Sequence, residues 1–242
     1  MRRLHTALFA ASVVAVLGSA ASIQAAAPAS GPVKIGIIGT GHIGGTLASL
    51  WAKAGHELMI SSRHPGELKA LAHSLGPKVE VGTPRAAAAF GDVVVVSVPY
   101  AATPQVGRDF AHELAGKVVI DTGNPYPNRD GDMAVEARRK GTGVASAEFL
   151  PGTRLVRAFN AINYKDLASQ AHRSGDPIAI PIAGDDAKAL AVVSRLVRDA
   201  GFEPVVVGGL ARAKDFDVGT PVYVKLLTAA QLRQQLGLPA AH

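Results

Sequence analysis

Gly39, Gly41 and Gly44 stand in the spacing G-x-G-x-x-G inside "GTGHIGG", residues 39–45. The first glycine of such a run allows a tight turn. The second lets the backbone approach a pyrophosphate, and the third lets a helix pack closely on the preceding strand with its N-terminus toward the anion. About twenty residues on, an NAD site usually carries an Asp or Glu for the ribose 2′-hydroxyl. Here the stretch is "ISSRHP". No carboxylate is present to repel a 2′-phosphate. Ser62 can donate a hydroxyl hydrogen bond, and Arg63 a charge-assisted one of roughly 1.5–3 kcal/mol. The chemistry these residues suit is binding of NADP(H).

The elements that must position them can be read from periodicity. "PVKIGIIG" is a short β-branched run ended by glycine, a buried strand. After it Leu47, Leu50, Trp51 and Ala54 recur every three or four residues on one helical face, up to Gly55. "HELMISSR" reads as a second strand, "HPGELKALAHSLG" as a helix and "KVEVG" as a weak third strand. "DVVVVSVPY" and "KVVIDTGNPYP" are central strands followed by polar loops. "RLVRAFN", "PIAIPIAG" and "FEPVVVGG" are later strands, with a helix over "DAKALAVVSRLVRDAG". The tail "TPVYVKLLTAAQLRQQLG" reads as a helix capped by Thr220, with Pro221 at its first position. This alternation predicts an α/β fold: a Rossmann doubly wound, mainly parallel sheet with helices on both faces and a small C-terminal helical extension.

Residues 1–25 form a separate module. Arg2 and Arg3 make a positive start, Ala7–Ala21 an apolar run, and "SIQAAAPAS" offers small residues for cleavage after Ala25. The expectation is export to the periplasm by the Sec or twin-arginine route, with no stable membrane insertion after cleavage. A short leader, 26–32, precedes an NADP-binding Rossmann unit over 33–160. Residues 161–242 continue the sheet into an acceptor and dimerisation region. The chain has no cysteine, which excludes disulfides, thiolate nucleophiles and Cys-ligated metal. The net charge of +6 comes from scattered basic residues with no Lys/Arg run longer than Arg138–Lys140, which argues against nucleic acid as a partner.

"KIGIIGTGHIGGTLASLWAKAGHELMISSR", "DVVVVSVPY", "VIDTGNPY", "RLVRAFNAIN", "AGDD" and "LARAKDFDVGTPVYV" together resemble the deazaflavin (coenzyme F-420):NADP oxidoreductase family over residues 33–238. The resemblance implies roles. Thr40, Gly41, His42 and Ile43 would lie against the pyrophosphate, beside Gly39 and Gly44. Ser62 and Arg63 would hold the 2′-phosphate. Val98, Pro99 and Tyr100 would run along the cofactor. Asn124, Pro125, Ala158, Phe159 and Asn160 would border the nicotinamide and the acceptor, with Tyr126 in the same loop. Two departures are plain: archaeal members often place a further lysine shortly after the arginine, where this chain has Glu67 nearby, and the segment that would face the deazaflavin differs from theirs, reading "FNAIN".

Hydride transfer to a flavin-like ring needs stacking and orientation more than an acid or base. Tyr100, Tyr126, Tyr164, Lys165 and His42 are the candidate proton donors, but no catalytic triad or metal spacing accompanies them, so no metal is expected. His64, His73, His112 and His172 are scattered, and Asp185–Asp186 suit a helix start. The leading reading is an NADPH-dependent oxidoreductase with a flavin or deazaflavin acceptor. An imine or keto-acid reductase and a non-catalytic dinucleotide-binding module are the alternatives. Val222, Leu226, Leu227, Ala230 and Leu236 make the C-terminal segment apolar. It must pack on its own domain or on a partner, and the resemblance favours a homodimer.

Overall fold

The computed structural model describes residues 31–240. The export segment expected over residues 1–25 lies outside them. In chain order the elements are β1 (Lys34–Ile38), α1 (His42–Lys53), β2 (Glu57–Ser61), α2 (Lys69–Leu75), β3 (Val79–Gly82), α3 (Pro84–Phe90), β4 (Val93–Val96), α4 (Thr103–Asp109), α5 (Ala111–Leu114) and β5 (Val118–Asp121). They continue with α6 (Pro127–Asp130), α7 (Asp132–Lys140), α8 (Thr142–Phe149), β6 (Arg154–Arg157), α9 (Tyr164–Ser169), β7 (Ala179–Gly184), α10 (Ala187–Asp199), β8 (Glu203–Gly208) and α11 (Ala229–Gln235). Among the described residues no helix is long and apolar enough to cross a membrane.

The eight strands form one sheet in the order β3-β2-β1-β4-β5-β6-β7-β8. The first six are parallel, in the doubly wound arrangement whose crevice opens where the order reverses, between β1 and β4. The central strands are buried on both faces. In β4, Val93 and Val95 join the core under α1 and α10, while Val94 and Val96 join the core on the opposite face. That alternation is the two-residue period of a strand, and it explains why the sequence reads there as an unbroken apolar run. Leu47, Leu50 and Trp51 turn one face of α1 into the first core, and Trp51 Nε1 donates to the Leu196 carbonyl at 2.8 Å.

The sheet is mainly parallel, as expected, with one antiparallel pair in its later part. β7 runs antiparallel to β6, through the pairs Val156–Gly184 and Arg157–Ala183. A parallel return needs a crossover, usually a helix of some length. The link between these strands carries only the six-residue α9, and its first turn is spent on a cleft wall.

The C-terminal helix starts at Thr228, not Thr220. Thr228 and Gln231 form a reciprocal capping box. Upstream, Val224 N–H bonds to the Ala161 carbonyl, Ala179 N–H to the Leu227 carbonyl, and Thr228 bridges Ile178. Backbone groups tied to other elements in this way cannot enter a helix. Residues 217–228 instead form a strap. Val222 and Leu232 are buried against Val205, Val207 and Phe216 of the chain's own fold, with Leu227 and Leu236 packed beside them. Much of the apolar surface of the tail is thus covered within the chain, while Leu226 stays exposed.

Candidate active site

The glycine turn joins β1 to α1. Gly39 has φ +97°, and the N–H groups of Gly39 and Thr40 both donate to the Ser61 carbonyl, at 3.1 and 3.0 Å. A Cβ on Gly39 would lie 2.3 Å from the Ser97 carbonyl oxygen, and one on Gly44 would lie 2.2 Å from that of Gly39. Backbone crowding therefore requires both glycines. Gly41 differs, for a Cβ there would meet nothing within 4 Å. It faces open space at the start of α1. That helix has no side-chain cap and no acidic residue in its first turn, and its first amide bonded to a backbone carbonyl is that of Gly45, to Gly41. The amides before it are free for an anion.

Beyond the turn, Ser61 pairs with Ile38, so Ser62 and Arg63 emerge one strand along from the glycines. Ser62 is half-buried, and its hydroxyl accepts from the His64 N–H at 3.0 Å. Arg63 is exposed, and among the described residues no carboxylate pairs with it.

A cleft of about 470 Å³ opens at the carboxyl ends of β1, β4, β5 and β6. It brings together Gly41, His42 and Ile43; Val98 and Pro99; Asn124 and Tyr126; and Phe159 and Asn160. Gly39, Thr40, Gly44, Ser62 and Arg63 are not part of its lining. Pro125 and Ala158 are buried behind it. Tyr100 is placed elsewhere than expected. Its ring is fully buried against Phe149, and its hydroxyl meets Ser146 Oγ at 3.0 Å. Burial pushes that hydroxyl above the ordinary tyrosine range. From this strand end Ser97, Val98 and Pro99 reach the cleft instead.

The cleft floor is held by buried charge. Arg157, fully buried in β6, donates to Asp121 Oδ2 at 2.8 Å and to the Gly123 carbonyl at 2.6 Å, and lies 3.4 Å from Asp217. Burial works against the guanidinium charge, but Asp121 and Asp217 outweigh it and raise its pKa. The loop after β5 and the strap are thereby tied to one cation. Asn124 Nδ2 donates to the Asn160 carbonyl at 2.7 Å. Asn124 Oδ1 and both amide atoms of Asn160 are buried without a partner. Buried polar atoms left unpaired in this way are costly.

Several lining residues escaped the sequence reading. Tyr223 and Val224 reach the cleft from the strap, and Arg129 from α6. His42 stacks on Tyr164 with ring centroids 4.3 Å apart. Phe159 and Val224 both have left-handed backbones, φ +60° and +51°. The one available signal was "VGTPVYV", whose Gly219–Pro221 pair suits a turn as well as a helix start.

Residues 34–125 match the family model of coenzyme F420-dependent NADP oxidoreductases. An F420-dependent NADP reductase of Methanothermobacter thermautotrophicus is 32% identical over 210 residues, covering 80% of this chain and 89% of that one. The metalloreductase STEAP3 of Rattus norvegicus is 30% identical over 204 residues, 83% of this chain. This chain spans only 38% of that longer relative. A structure described as an F420-dependent NADP-reductase from Arthrobacter sp. FB24 shares the fold, with a TM-score of 0.65 at 24% identity over 85% of this chain and 96% of that one.

Proposed function

Because the chain belongs to the coenzyme F420-dependent NADP oxidoreductases, and is an NADP-dependent oxidoreductase, we propose that it passes hydride between NADPH and a flat flavin-like or deazaflavin acceptor. The observation that carries this reading is the lining of the cleft. It joins the uncapped start of α1 to a wall of aromatic rings and amides, with no carboxylate and no lysine among the lining residues.

The residues present fit the dinucleotide. The open side of Gly41 and the free first-turn amides of α1 suit a pyrophosphate. Ser62 and the carboxylate-free Arg63 suit a 2′-phosphate. The unpartnered donor and acceptor of Asn160 suit a carboxamide, which offers the same two functions in reverse. When bound, NADPH supplies the hydride. The protein's work is to orient two rings and keep water out. Phe159 and Asn160 form one wall, Val98 and Pro99 another, and His42 stacked on Tyr164 stands beside the turn.

Stopped-flow oxidation of NADPH with flavins, deazaflavins, keto acids and cyclic imines tests this. The expected result is rapid turnover with the flavin-like rings, flat between about pH 6 and 8, where a histidine acid would show itself. Turnover of only a keto acid or imine, with a bell-shaped profile, would replace the acceptor class. No turnover with any of them would leave a binding module.

A further inference from the structure

Tyr223 is separated from Tyr126 by 97 residues, yet their hydroxyl oxygens lie 2.5 Å apart in the cleft. The Arg129 guanidinium sits 5.1 Å over the Tyr126 ring and donates to the Asn124 carbonyl at 2.8 Å. Asn124 Nδ2 donates to the Tyr223 oxygen at 3.4 Å. The proton count of this group is informative. Two phenols share one hydrogen bond and therefore hold a second O–H between them. If Tyr223 donates to Tyr126, the Tyr126 proton is free. If Tyr126 donates, the Tyr223 oxygen accepts twice and its own proton is free. Either way one O–H remains to donate into the cleft. Burial, reinforced by the Tyr126 bond, raises the Tyr223 pKa above the ordinary tyrosine range.

Position separates this donor from the carboxamide site. Asn160 is 2% exposed, while both phenols are half-buried and stand beside the exposed Val224. The buried amide suits the nicotinamide carboxamide, and the half-buried phenols are the more accessible donor.

We propose that the Tyr126–Tyr223 hydroxyl pair donates a hydrogen bond to the carbonyl-bearing edge of the acceptor ring and stabilises the negative charge that hydride brings to it. This inference rests on the flavin-like acceptor proposed above. The C–H bond of the dihydronicotinamide breaks, and its hydrogen and electron pair form a new bond on the acceptor ring. The nicotinamide is oxidised and the ring reduced. The electron pair displaced inside the ring comes to rest at its carbonyl and nitrogen edge, where the phenol waits. The phenol keeps its proton, and its hydrogen bond strengthens as charge grows. Water supplies the proton that neutralises the released product.

The test uses the whole protein with Tyr223→Phe and Tyr126→Phe, singly and together, and FMN and 5-deazariboflavin as probes. Vibrational difference spectroscopy reads the carbonyl stretch of the bound ring, and single-turnover kinetics read hydride transfer. The double variant, which removes both O–H groups, is expected to slow transfer about 100- to 1000-fold, to leave NADPH affinity unchanged, and to move the carbonyl band to higher frequency. Each single variant keeps one phenol, so the one that lacks the hydroxyl facing the acceptor is expected to show the larger loss and band shift; should the double variant fail to fold, the two single variants carry the test. Wild-type rates with an unmoved band in the folded double variant, or in both single variants, would overturn the inference while leaving the acceptor class standing. Equal losses of NADPH affinity and transfer rate would overturn it as well, by showing a merely structural role. A wild-type protein that reduces neither ring would remove the acceptor class, and this inference with it.

Discussion

Asn124 and Asn160 are joined by one 2.7 Å hydrogen bond, from the Asn124 side-chain amide to the Asn160 backbone carbonyl. That bond uses no side-chain atom of Asn160. The Asn160 amide is buried with nothing to bind, and Asn124 Oδ1 is in the same condition. A buried polar group left unpaired costs about 1–3 kcal/mol.

Asn160→Ala is therefore expected to leave the free protein at least as stable as wild type, while the rise in melting temperature on adding NADPH shrinks. Calorimetry with and without NADPH reads both. A variant that melts lower and still gains the full NADPH shift would show that Asn160 serves only the fold.

Arg63 is exposed and pairs with no carboxylate among the described residues, so its removal should not disturb the fold. Arg63→Ala is expected to weaken NADPH binding about 10- to 100-fold, the equivalent of roughly 1.5–3 kcal/mol, with NADH binding unchanged. Fluorescence titration with each nucleotide decides it. Equal affinities in wild type would remove the case for a 2′-phosphate site.

His56 gives the fold a pH dependence. It is 1% exposed; its Nδ1 accepts from the Val33 N–H at 3.1 Å, and Nε2 lies 3.1 Å from Asp199. Accepting at Nδ1 fixes the neutral ring. Burial lowers its pKa below the ordinary value of 6.5, and Asp199 only partly offsets this. The unfolded chain thus binds the extra proton first. The stabilisation is complete above about pH 6.5 and is lost as pH falls toward the folded value. Melting temperatures between about pH 5 and 7.5 should show that slope. His56→Gln, which keeps a donor toward Asp199 without titrating, should flatten it; an unchanged slope would place the effect elsewhere.

Val224 holds a β-branched side chain at φ +51°, a region that costs such residues roughly 1–3 kcal/mol. It is also 40% exposed, so little packing is lost with it. Val224→Gly should therefore raise the melting temperature despite the added freedom of the unfolded chain. A fall would mean that the Val224 methyls contribute more than the strain costs.

Removal of residues 1–25 on export remains our proposal, from Arg2, Arg3 and the Ala7–Ala21 run. Cell fractionation with mass spectrometry of the natively purified N-terminus is expected to find a periplasmic protein beginning near Ala26. An intact Met1 on a cytoplasmic protein would defeat it.

The parts of the fold that sequence made plain are those whose conformation is decided locally. β4 and β5 are buried on both faces and read as apolar runs. Gly39 and Gly44 are forced by backbone contacts that any such turn would make. The strap was not legible. Its conformation is set by carbonyls and amides of residues 161, 178 and 179, and a proline after a threonine resembles a helix cap until those partners are known. Tyr223 was missed for that reason, and Tyr100 was misplaced because nothing local reveals that its ring turns toward Ser146. Helices α6, α7 and α8 gave little pattern, and α8 is built largely of small residues without an apolar stripe.

The tie between Arg157 and Asp217 spans 60 residues of chain. At about 5–20 residues per second of synthesis, roughly 3–12 s separate the two on the ribosome. By the start of that interval β1 to β6, the glycine turn and Asp121 have been synthesised. The strap, with Tyr223, has not. The residues that suit the dinucleotide are therefore made seconds before the strap that closes the cleft.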